Sequence, residues 1–236
     1  MTTLYLIRHG QASFGRENYD RLSPRGLLQM KILGGHLAGT GCLVQAVYCG
    51  PLERQRASAA EVVRRCRELN MRLPCPDEHP DLAEYDYQAV LAAQLPDMIA
   101  ADPSMERALD KVYHDETAFQ KVFEQAVMRW VSGRHDKAGT ETWADFSARV
   151  HQALRDICSA HGNGGAILVF TSGGVITAAL QAALGMTAQR AVSLGWRLFN
   201  ASVTRLSCRA KKLDLTGFND IAHLELRRDR TLLTFR

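Results

Sequence analysis

The chain alternates short apolar runs with longer amphipathic stretches, which predicts strands alternating with helices. Residues 4–7 and 166–170 are continuous apolar runs, typical of central strands covered on both faces, and residues 45–48 form a third. Apolar positions at helical spacing predict helices over residues 24–39, 52–68, 89–132, 141–160 and 175–184. This order favours an α/β fold, a three-layer α/β/α sandwich around a mostly parallel central sheet.

Local signals refine several elements. Ser23 and Pro24 predict a helix start, and Gly39 or Gly41 predicts its end. We expect the buried stripe of this helix to contain Leu27, Leu28, Ile32, Leu33 and Leu37. Further expectations are a strand at residues 72–74, helix interruptions at Pro96 and Pro103, and a closing hairpin of residues 198–207 and 211–215.

The domain organisation follows from length and from the long helical stretch. The chain has 236 residues, of which 46% are hydrophobic and 23% charged, as expected for a globular protein with a full core. No linker or repeat divides it. We predict one domain over residues 1–236, with residues 89–140 forming a helical insertion over the active-site end of the sheet.

Charge and cysteine usage narrow the choice of partners and compartment. The formal net charge is +4 and the pI about 8.8, without the dense basic block of a nucleic-acid or membrane surface. The six cysteines show no C-x-x-C spacing, and the N-terminus runs directly into a strand rather than a basic leader. We expect a cytoplasmic protein with reduced thiols that binds neither nucleic acid nor membrane.

Polar residues with chemical potential follow three of the predicted strands, at residues 8–10, 50–54 and 171–174. Parallel sheets place their sites beyond the carboxyl ends of the strands. His9 has a cation before it and a glycine after it, and a neutral imidazole can attack phosphorus if its other nitrogen is held. Arg8 and Arg54 are suited to bind the phosphate and to stabilise its charge in the transition state.

Several motifs together resemble the histidine phosphatase superfamily, in its phosphoglycerate mutase-like branch. Residues 4–11 (LYLIRHGQ) resemble the opening strand and signature of that family. Its L-[ST]-x-x-G-x-x-Q helix start and its S-P-L-x-R segment are similar to residues 22–29 (LSPRGLLQ) and 50–54 (GPLER), with glycine replacing serine at position 50. Weaker likenesses, in the expected order, lie at residues 82–84, 140–142 and 200–203.

The resemblance implies a role for each candidate residue. His9 would take the phosphoryl group, Arg8 and Arg54 would hold it, and Glu84 would protonate the leaving alcohol and later activate water. Asp81 and Asp86 stay open as alternatives to Glu84. The candidate substrate-binding residues are Gly10, Gln11, Ser172 and Gly173. The resemblance implies no cofactor and no metal ion.

One departure from the family pattern bears directly on phosphate binding. The family has a second histidine after its late apolar strand, and this chain has Ser172 there. A serine brings no positive charge, so we expect activity roughly ten- to a hundredfold below that of a complete site. His161 is the remaining histidine near this strand, but it precedes the strand and should lie at the opposite end.

The preferred function is hydrolysis of a small-molecule phosphomonoester, and two alternatives stay open. One is a non-catalytic protein that binds or senses a phosphorylated ligand on the same fold, and the other is a phosphoglycerate-type mutase. The spacing from Cys66 to Arg72 matches a C-x5-R phosphate loop, but the intervening residues contain no glycine, so the match is attributed to chance. The physiological substrate is not readable from the sequence, and a homodimer stays open.

Overall fold

The computed structural model describes residues 2–13, 20–103, 105, 116–161, 164–209 and 212–235, with the backbone alone at 116–119. The strands are β1 (Thr2–Arg8), β2 (Val44–Cys49), β3 (Pro76–Glu78), β4 (Ala166–Thr171), β5 (Val203–Arg209) and β6 (Lys212–Asp220). The helices are α1 (Pro24–Thr40), α2 (Glu53–Glu68), α3 (Tyr87–Ala101), α4 (Glu116–Val131), α5 (Trp143–Ala160), α6 (Gly173–Leu184), α7 (Ala188–Gly195) and α8 (Ala222–Glu225). Short 3-10 turns lie at Pro80–Leu82 and Arg230–Leu232.

The six strands form one mixed sheet in the order β3-β2-β4-β1-β5-β6. The pairs β3 with β2, β2 with β4 and β4 with β1 are parallel, whereas β5 and β6 join as an antiparallel edge. The chain therefore has the predicted α/β fold with a mostly parallel sheet. The carboxyl ends of β1, β2 and β4 meet at one edge, which brings the three polar segments together.

Two separate apolar cores cover the two faces of the sheet, which gives the three layers. Alternate residues of β1 divide between them, since Leu4 and Leu6 belong to one core and Ile7 to the other. The first core receives apolar side chains from α3 to α7, and the second receives them from α1, α2 and α8. Each central strand is buried on both faces, as its unbroken apolar sequence predicts.

The signals at the start and end of α1 are confirmed, but its predicted buried stripe is partly wrong. The Ser23 hydroxyl accepts a hydrogen bond from the N–H of Gly26, and Gly41 ends the helix with a φ of 64°. Leu27 and Leu28 are 43% and 46% exposed. The buried face instead includes Gly26, Gln29 and Met30 beside the predicted Ile32, Leu33 and Leu37, because close packing near the turn after β1 takes precedence over hydrophobicity.

Three further boundaries differ from the sequence expectations. The third strand lies at Pro76–Glu78, after the predicted residues 72–74. Pro96 lies inside α3 and does not interrupt it. The hairpin begins at Val203, because residues 199–201 form a turn in which Ala201 has a φ of 61°, and it extends to Asp220.

Most of the predicted insertion, residues 89–140, is helical where the structure describes it. It contains most of α3 and all of α4, while residues 104 and 106–115 lie outside the described residues. The predicted interruption at Pro103 is confirmed, since α3 ends at Ala101. Trp130 of α4 packs on Tyr85 with their ring centroids 4.8 Å apart. These helices therefore contact the loop that carries Glu84, while the division of the chain into one domain with an insertion stays a prediction.

Candidate active site

His9 lies directly after β1, where that strand meets the end of β4. Its N–H donates to the carbonyl of Thr171 at 2.9 Å, and its own carbonyl accepts from the N–H of Ala201 at 3.2 Å and from Nδ2 of Asn200 at 3.3 Å. The ring atom Nδ1 lies 2.7 Å from the carbonyl oxygen of Gly10. A carbonyl only accepts, so Nδ1 carries the proton and Nε2 presents its lone pair.

Two facing glycines allow the turn after β1 to pack on the start of α1. A Cβ on Gly10 would lie 2.4 Å from the carbonyl oxygen of Gly26, and a Cβ on Gly26 would lie 2.2 Å from that of Gln11. Both distances are shorter than any real contact, so neither position accepts a side chain. The N–H groups of Gly10 and Gln11 donate to Ser58 Oγ at 3.2 Å and Gln29 Oε1 at 2.8 Å.

Arg54, in the first turn of α2, directs its guanidinium at the imidazole of His9. Its Nε donates to His9 Nε2 at 3.2 Å, and its Nη1 contacts Asp20 Oδ1 at 2.7 Å. Asp20 also accepts from the N–H of Glu53 at 2.7 Å and so caps the helix that carries the arginine. The carboxylate thus orients Arg54 toward the ring nitrogen that would attack phosphorus.

Arg8 approaches the same point from the other side of the sheet edge. It is the last residue of β1 and is in register with Thr171 of β4. Its Nη1 donates to the carbonyl of Leu198. A Cβ on Gly173 would lie 3.8 Å from Arg8 Nε, so the guanidinium passes beside the first residue of α6. Two cations and a helix N-terminus therefore converge near His9, which suits an anion.

These surroundings keep the His9 imidazole neutral. Burial places the pKa of His9 well below its usual range, and the charges of Arg54 and Arg8 lower it further against the opposing hydrogen bond to Gly10. Only a neutral imidazole can act as a nucleophile, so this shift is compatible with such a role at neutral pH.

Glu84 lies at the N-terminus of α6. Its Oε2 accepts from the N–H of Gly174 at 2.9 Å, and a Cβ on Gly174 would lie 2.1 Å from Oε1, so a side chain there would displace the Glu84 carboxyl group. Burial raises the pKa of Glu84, while hydrogen bonds from the N–H groups of Gly174 and Tyr85 and the charges of Arg54 and Arg8 oppose that rise. A carboxyl group with a raised pKa is suited to donate a proton near neutral pH.

The segment before Glu84 is held by its backbone carbonyls. Arg149 of α5 donates from Nη1 to the carbonyl of Asp81 at 2.9 Å and to that of Ala83 at 3.0 Å. The same guanidinium pairs with Glu141 at 2.6 Å and lies 4.7 Å from the ring centroid of Phe146. The segment at residues 140–142, noted in the sequence only for its likeness to the family, thus supplies the acid that orients Arg149.

The remaining candidate acids and the second histidine lie in other roles or places. Asp86 caps α3, accepting from the N–H of Ala89 at 3.0 Å, and Asp81 contributes its carbonyl to Arg149. His161 ends α5, where its Nε2 lies 2.8 Å from the hydroxyl of Tyr48. Of the three candidate acids, Glu84 is the one whose side chain reaches the start of α6.

The C-x5-R spacing that begins at Cys66 lies outside this site. Cys66 is fully buried in α2, and its thiol donates to the carbonyl of Gly34 at 3.3 Å. Burial raises the pKa of this thiol to about 11, which disfavours the thiolate that such a loop requires.

Gln55 is a site residue that sequence reasoning missed. Its Nε2 donates to Ser172 Oγ at 2.8 Å and to the carbonyl of Leu82 at 3.2 Å. Ser172 is fully buried at the N-cap of α6. Gln11 accepts at Oε1 a hydrogen bond from Ser23 Oγ at 3.0 Å. The one sequence signal for Gln55 was the glycine at position 50, where the family has serine. This glycine points to Gln55 only once its neighbours in the structure are known.

Two features are absent from the described part of the chain. No group of three or more His, Cys, Asp or Glu side chains there is placed to share a metal ion. None of its helices has the length and hydropathy that a bilayer crossing requires.

A model of the histidine phosphatase superfamily, branch 1, matches residues 4–221, and the chain belongs to this family. No curated protein sequence matches the chain. Among solved structures, the chain is similar to a mutant phosphoserine phosphatase from Entamoeba histolytica in complex with phosphoserine, with 20% identity and a TM-score of 0.64 over 95% of this chain and all of that one.

Two further solved structures show the same fold. The phosphoglycerate mutase from Bacillus anthracis is 17% identical, with a TM-score of 0.62 over 97% of each chain. A mycobacterial glucosyl-3-phosphoglycerate phosphatase is 17% identical, with a TM-score of 0.63 over 93% of this chain and 99% of that one. At these identities the likeness establishes the phosphoglycerate mutase-like fold.

Proposed function

We propose that the chain hydrolyses small-molecule phosphomonoesters through a phosphohistidine on His9. The observation that carries the proposal is the His9 ring, which is neutral and has its Nδ1 proton held by the Gly10 carbonyl and its Nε2 facing the Arg54 guanidinium. Such a ring can attack phosphorus without first losing a proton. Arg8 and Arg54 reduce the repulsion between the nucleophile and the anionic phosphate.

The reaction has two steps that balance in protons. In the first, His9 Nε2 forms a bond to phosphorus, the ester P–O bond breaks, and the Glu84 carboxyl group gives its proton to the leaving alcohol. In the second, the Glu84 carboxylate takes a proton from water, whose oxygen attacks phosphorus and displaces the imidazole. Inorganic phosphate leaves, and the neutral ring with its Nδ1 proton is restored.

The titration of Glu84 sets the expected pH dependence of the first step. Glu84 must carry a proton to act as an acid, and burial raises its pKa. The rate should therefore fall as the pH rises through that pKa. In Glu84→Gln the rate should be lower and this alkaline limb should disappear, as measured by the release of an alcohol of high pKa across pH 4 to 9.

The central test compares wild type, His9→Ala and His161→Ala with an aryl phosphate. Wild type and His161→Ala should release the phenol and carry acid-labile phosphate on the protein, and His9→Ala should do neither. His161 is a suitable control because it is a histidine bound to Tyr48, away from the cluster around His9. Labelling that persists in His9→Ala would place the chemistry on another residue.

A second candidate is a non-catalytic protein that binds a phosphorylated ligand. The specific observation in its favour is that Ser172 stands where the family has a second histidine and is fully buried. A binder of this kind should bind inorganic phosphate, with affinity lost in Arg54→Ala, yet form no phosphohistidine with any phosphoester tried.

The cellular setting is part of the same proposal. All six cysteines are free thiols, as expected for a protein of a reducing cytoplasm. The similar solved structures include a phosphoserine phosphatase from Entamoeba histolytica in complex with phosphoserine and with 3-phosphoglyceric acid, which supports a small phosphorylated metabolite as the substrate class.

A further inference from the structure

Arg54 and Gln55 together contact the ends of the two strands that form the site. Arg54 and Gln55 are consecutive on α2, so they project from adjacent positions of its first turn. Arg54 reaches His9 at the end of β1, and Gln55 reaches Ser172 at the end of β4. Gln55 is fully buried, so its hydrogen bonds are shielded from water.

Both the nitrogen and the oxygen of the Gln55 side-chain amide form hydrogen bonds. Its Nε2 donates to Ser172 Oγ and to the Leu82 carbonyl, and its Oε1 accepts from the N–H of Leu52 at 3.2 Å. The Leu82 carbonyl also accepts from Thr171 Oγ1 at 3.0 Å. Gln55 therefore ties α2, the end of β4 and the segment two residues before Glu84 into one buried network.

Gly50 provides the space for this amide. A Cβ at this position would lie 2.1 Å from Gln55 Oε1 and 2.6 Å from the Leu82 carbonyl oxygen. The φ of Gly50 is not in the left-handed region, so volume rather than backbone conformation requires glycine here. The serine that the family carries at this point would collide with the amide of Gln55.

The same amide occupies the space next to Ser172. An imidazole at position 172 would extend beyond the Oγ position, and Gln55 Nε2 already lies 2.8 Å from that atom. The two departures from the family pattern, at positions 50 and 172, are therefore contacts of a single side chain. A histidine that followed the direction of the Ser172 side chain would collide with Gln55.

We propose that Gln55 is a positioning residue that replaces the second family histidine as the support of this side of the site, holding Ser172 and the Leu82 carbonyl and thereby placing Glu84 at the start of α6. The consequence for Glu84 rests on the proposed function, whereas the steric coupling of positions 50, 55 and 172 does not. Gln55 acts through Glu84 and need not touch the substrate.

The first experiment compares Gln55→Ala with Gln94→Ala. Gln94 is a matched control because it is a buried glutamine whose Nε2 donates to the carbonyl of His135 at 2.9 Å, within the helical region. Gln55→Ala should lower kcat about tenfold with KM changed less than about twofold, and should shift the alkaline limb of the rate, whereas Gln94→Ala should lower only Tm. Unchanged kcat and pH profile in folded Gln55→Ala would overturn the positioning role.

A second readout follows Glu84 without turnover. With carbon-13-labelled glutamate carboxyl groups, the Glu84 signal should titrate at a lower pH in Gln55→Ala than in wild type, because a released carboxyl group gains solvent. The Gln94→Ala protein should titrate like wild type. If wild type releases no phenol and forms no phosphohistidine, the proposed function fails, and this titration still decides whether Gln55 positions Glu84.

The coupling itself is tested by paired substitutions. Ser172→His alone should lose activity and stability, and Gln55→Ala in the same chain should restore part of both. Likewise, Gly50→Ser should lower Tm less in Gln55→Ala than in wild type, because only the contact with the Leu82 carbonyl remains. The inference would be contradicted if the effects of the paired substitutions were additive in both double-mutant cycles. It would also be contradicted if Ser172→His alone gained as much activity as the double variant Ser172→His with Gln55→Ala.

Discussion

The two halves of the site are held in place by different kinds of contact. The turn at residues 8–11, which carries His9, is fixed mainly by main-chain atoms. Gly10 packs on the Gly26 carbonyl, and the N–H and carbonyl of His9 bond to Thr171 of β4 and to Ala201. The loop at residues 81–85, which carries Glu84, is fixed by side chains from other elements, chiefly Arg149. Adding a side chain should therefore disrupt the geometry of the first half, whereas removing one should disrupt the geometry of the second.

The largest effect is expected from Gly10→Ala. The new Cβ would lie 2.4 Å from the Gly26 carbonyl oxygen, and neither backbone can move away without breaking bonds to β4 and α1. We expect a loss of about 4 kcal/mol in the free energy of unfolding, together with loss of activity. Urea unfolding and phenol release measure the two.

Gly35→Ala is the matched control for that substitution. Gly35 lies inside α1, and a Cβ there would have no neighbour within 4 Å. It should stabilise the protein by about 0.5 to 1 kcal/mol, since alanine is the better helix former. If Gly10→Ala behaved similarly, the main-chain packing of the His9 turn would not be as tight as described.

A smaller effect, dependent on pH, is expected from His223→Gln. His223 is buried in α8 beside Ala201, and burial together with His36 lowers its pKa to about 4, against the opposing effects of Asp220 and the Ala201 backbone. A histidine with a lowered pKa adds stability above its ordinary pKa of 6.5, and this stability is lost as the pH falls through the folded value.

Chemical unfolding at pH 7 and pH 4 tests this expectation. Wild type should lose stability over this interval, on the order of 3 kcal/mol of it through His223, and His223→Gln should lack that part. His36→Gln, which changes the exposed ring of the pair, should retain most of it. An equal loss in wild type and His223→Gln would show that folding does not lower the pKa of this ring.

The smallest of the expected effects on activity is that of Arg149→Ala. The substitution removes the hydrogen bonds to the Asp81 and Ala83 carbonyls, so Glu84 should spend less time at the start of α6. We expect kcat to fall about tenfold, equivalent to about 1.4 kcal/mol, with KM nearly unchanged.

Arg155→Ala is its control on the same helix. Arg155 donates to Gln152 within α5, so its loss should leave both kinetic constants unchanged. If Arg149→Ala instead lowered stability and kcat in proportion, as Gly10→Ala should, the distinction between the two halves of the site would disappear.

The half of the site that the sequence predicts well is the one held by main-chain atoms. Strand ends, glycines and helix starts leave local signals, so the positions of Arg8, His9 and Arg54 follow from short patterns along the chain. Their convergence at one edge follows from parallel strands. The burial of the central strands was likewise readable from their unbroken apolar sequence.

The other half depends on contacts between segments far apart in sequence. Glu84 is distinguished from Asp81 and Asp86 by the direction of a loop, which Arg149 and Gln55 determine from other elements. Gln55 carries no signal of its own, because a glutamine in an arginine-rich helix resembles a surface residue until the missing side chain at Gly50 is seen to make room for it.

The strand order has a consequence for how the chain folds during synthesis. β1 is made first, yet both of its neighbours, β4 and β5, are encoded about 160 and 195 residues later. At a translation rate of about 5 to 20 residues per second, this strand remains without partners for roughly 8 to 40 seconds. Its apolar surface and unpaired edges are exposed throughout that interval, so the nascent chain should depend on chaperones far more than the finished protein does.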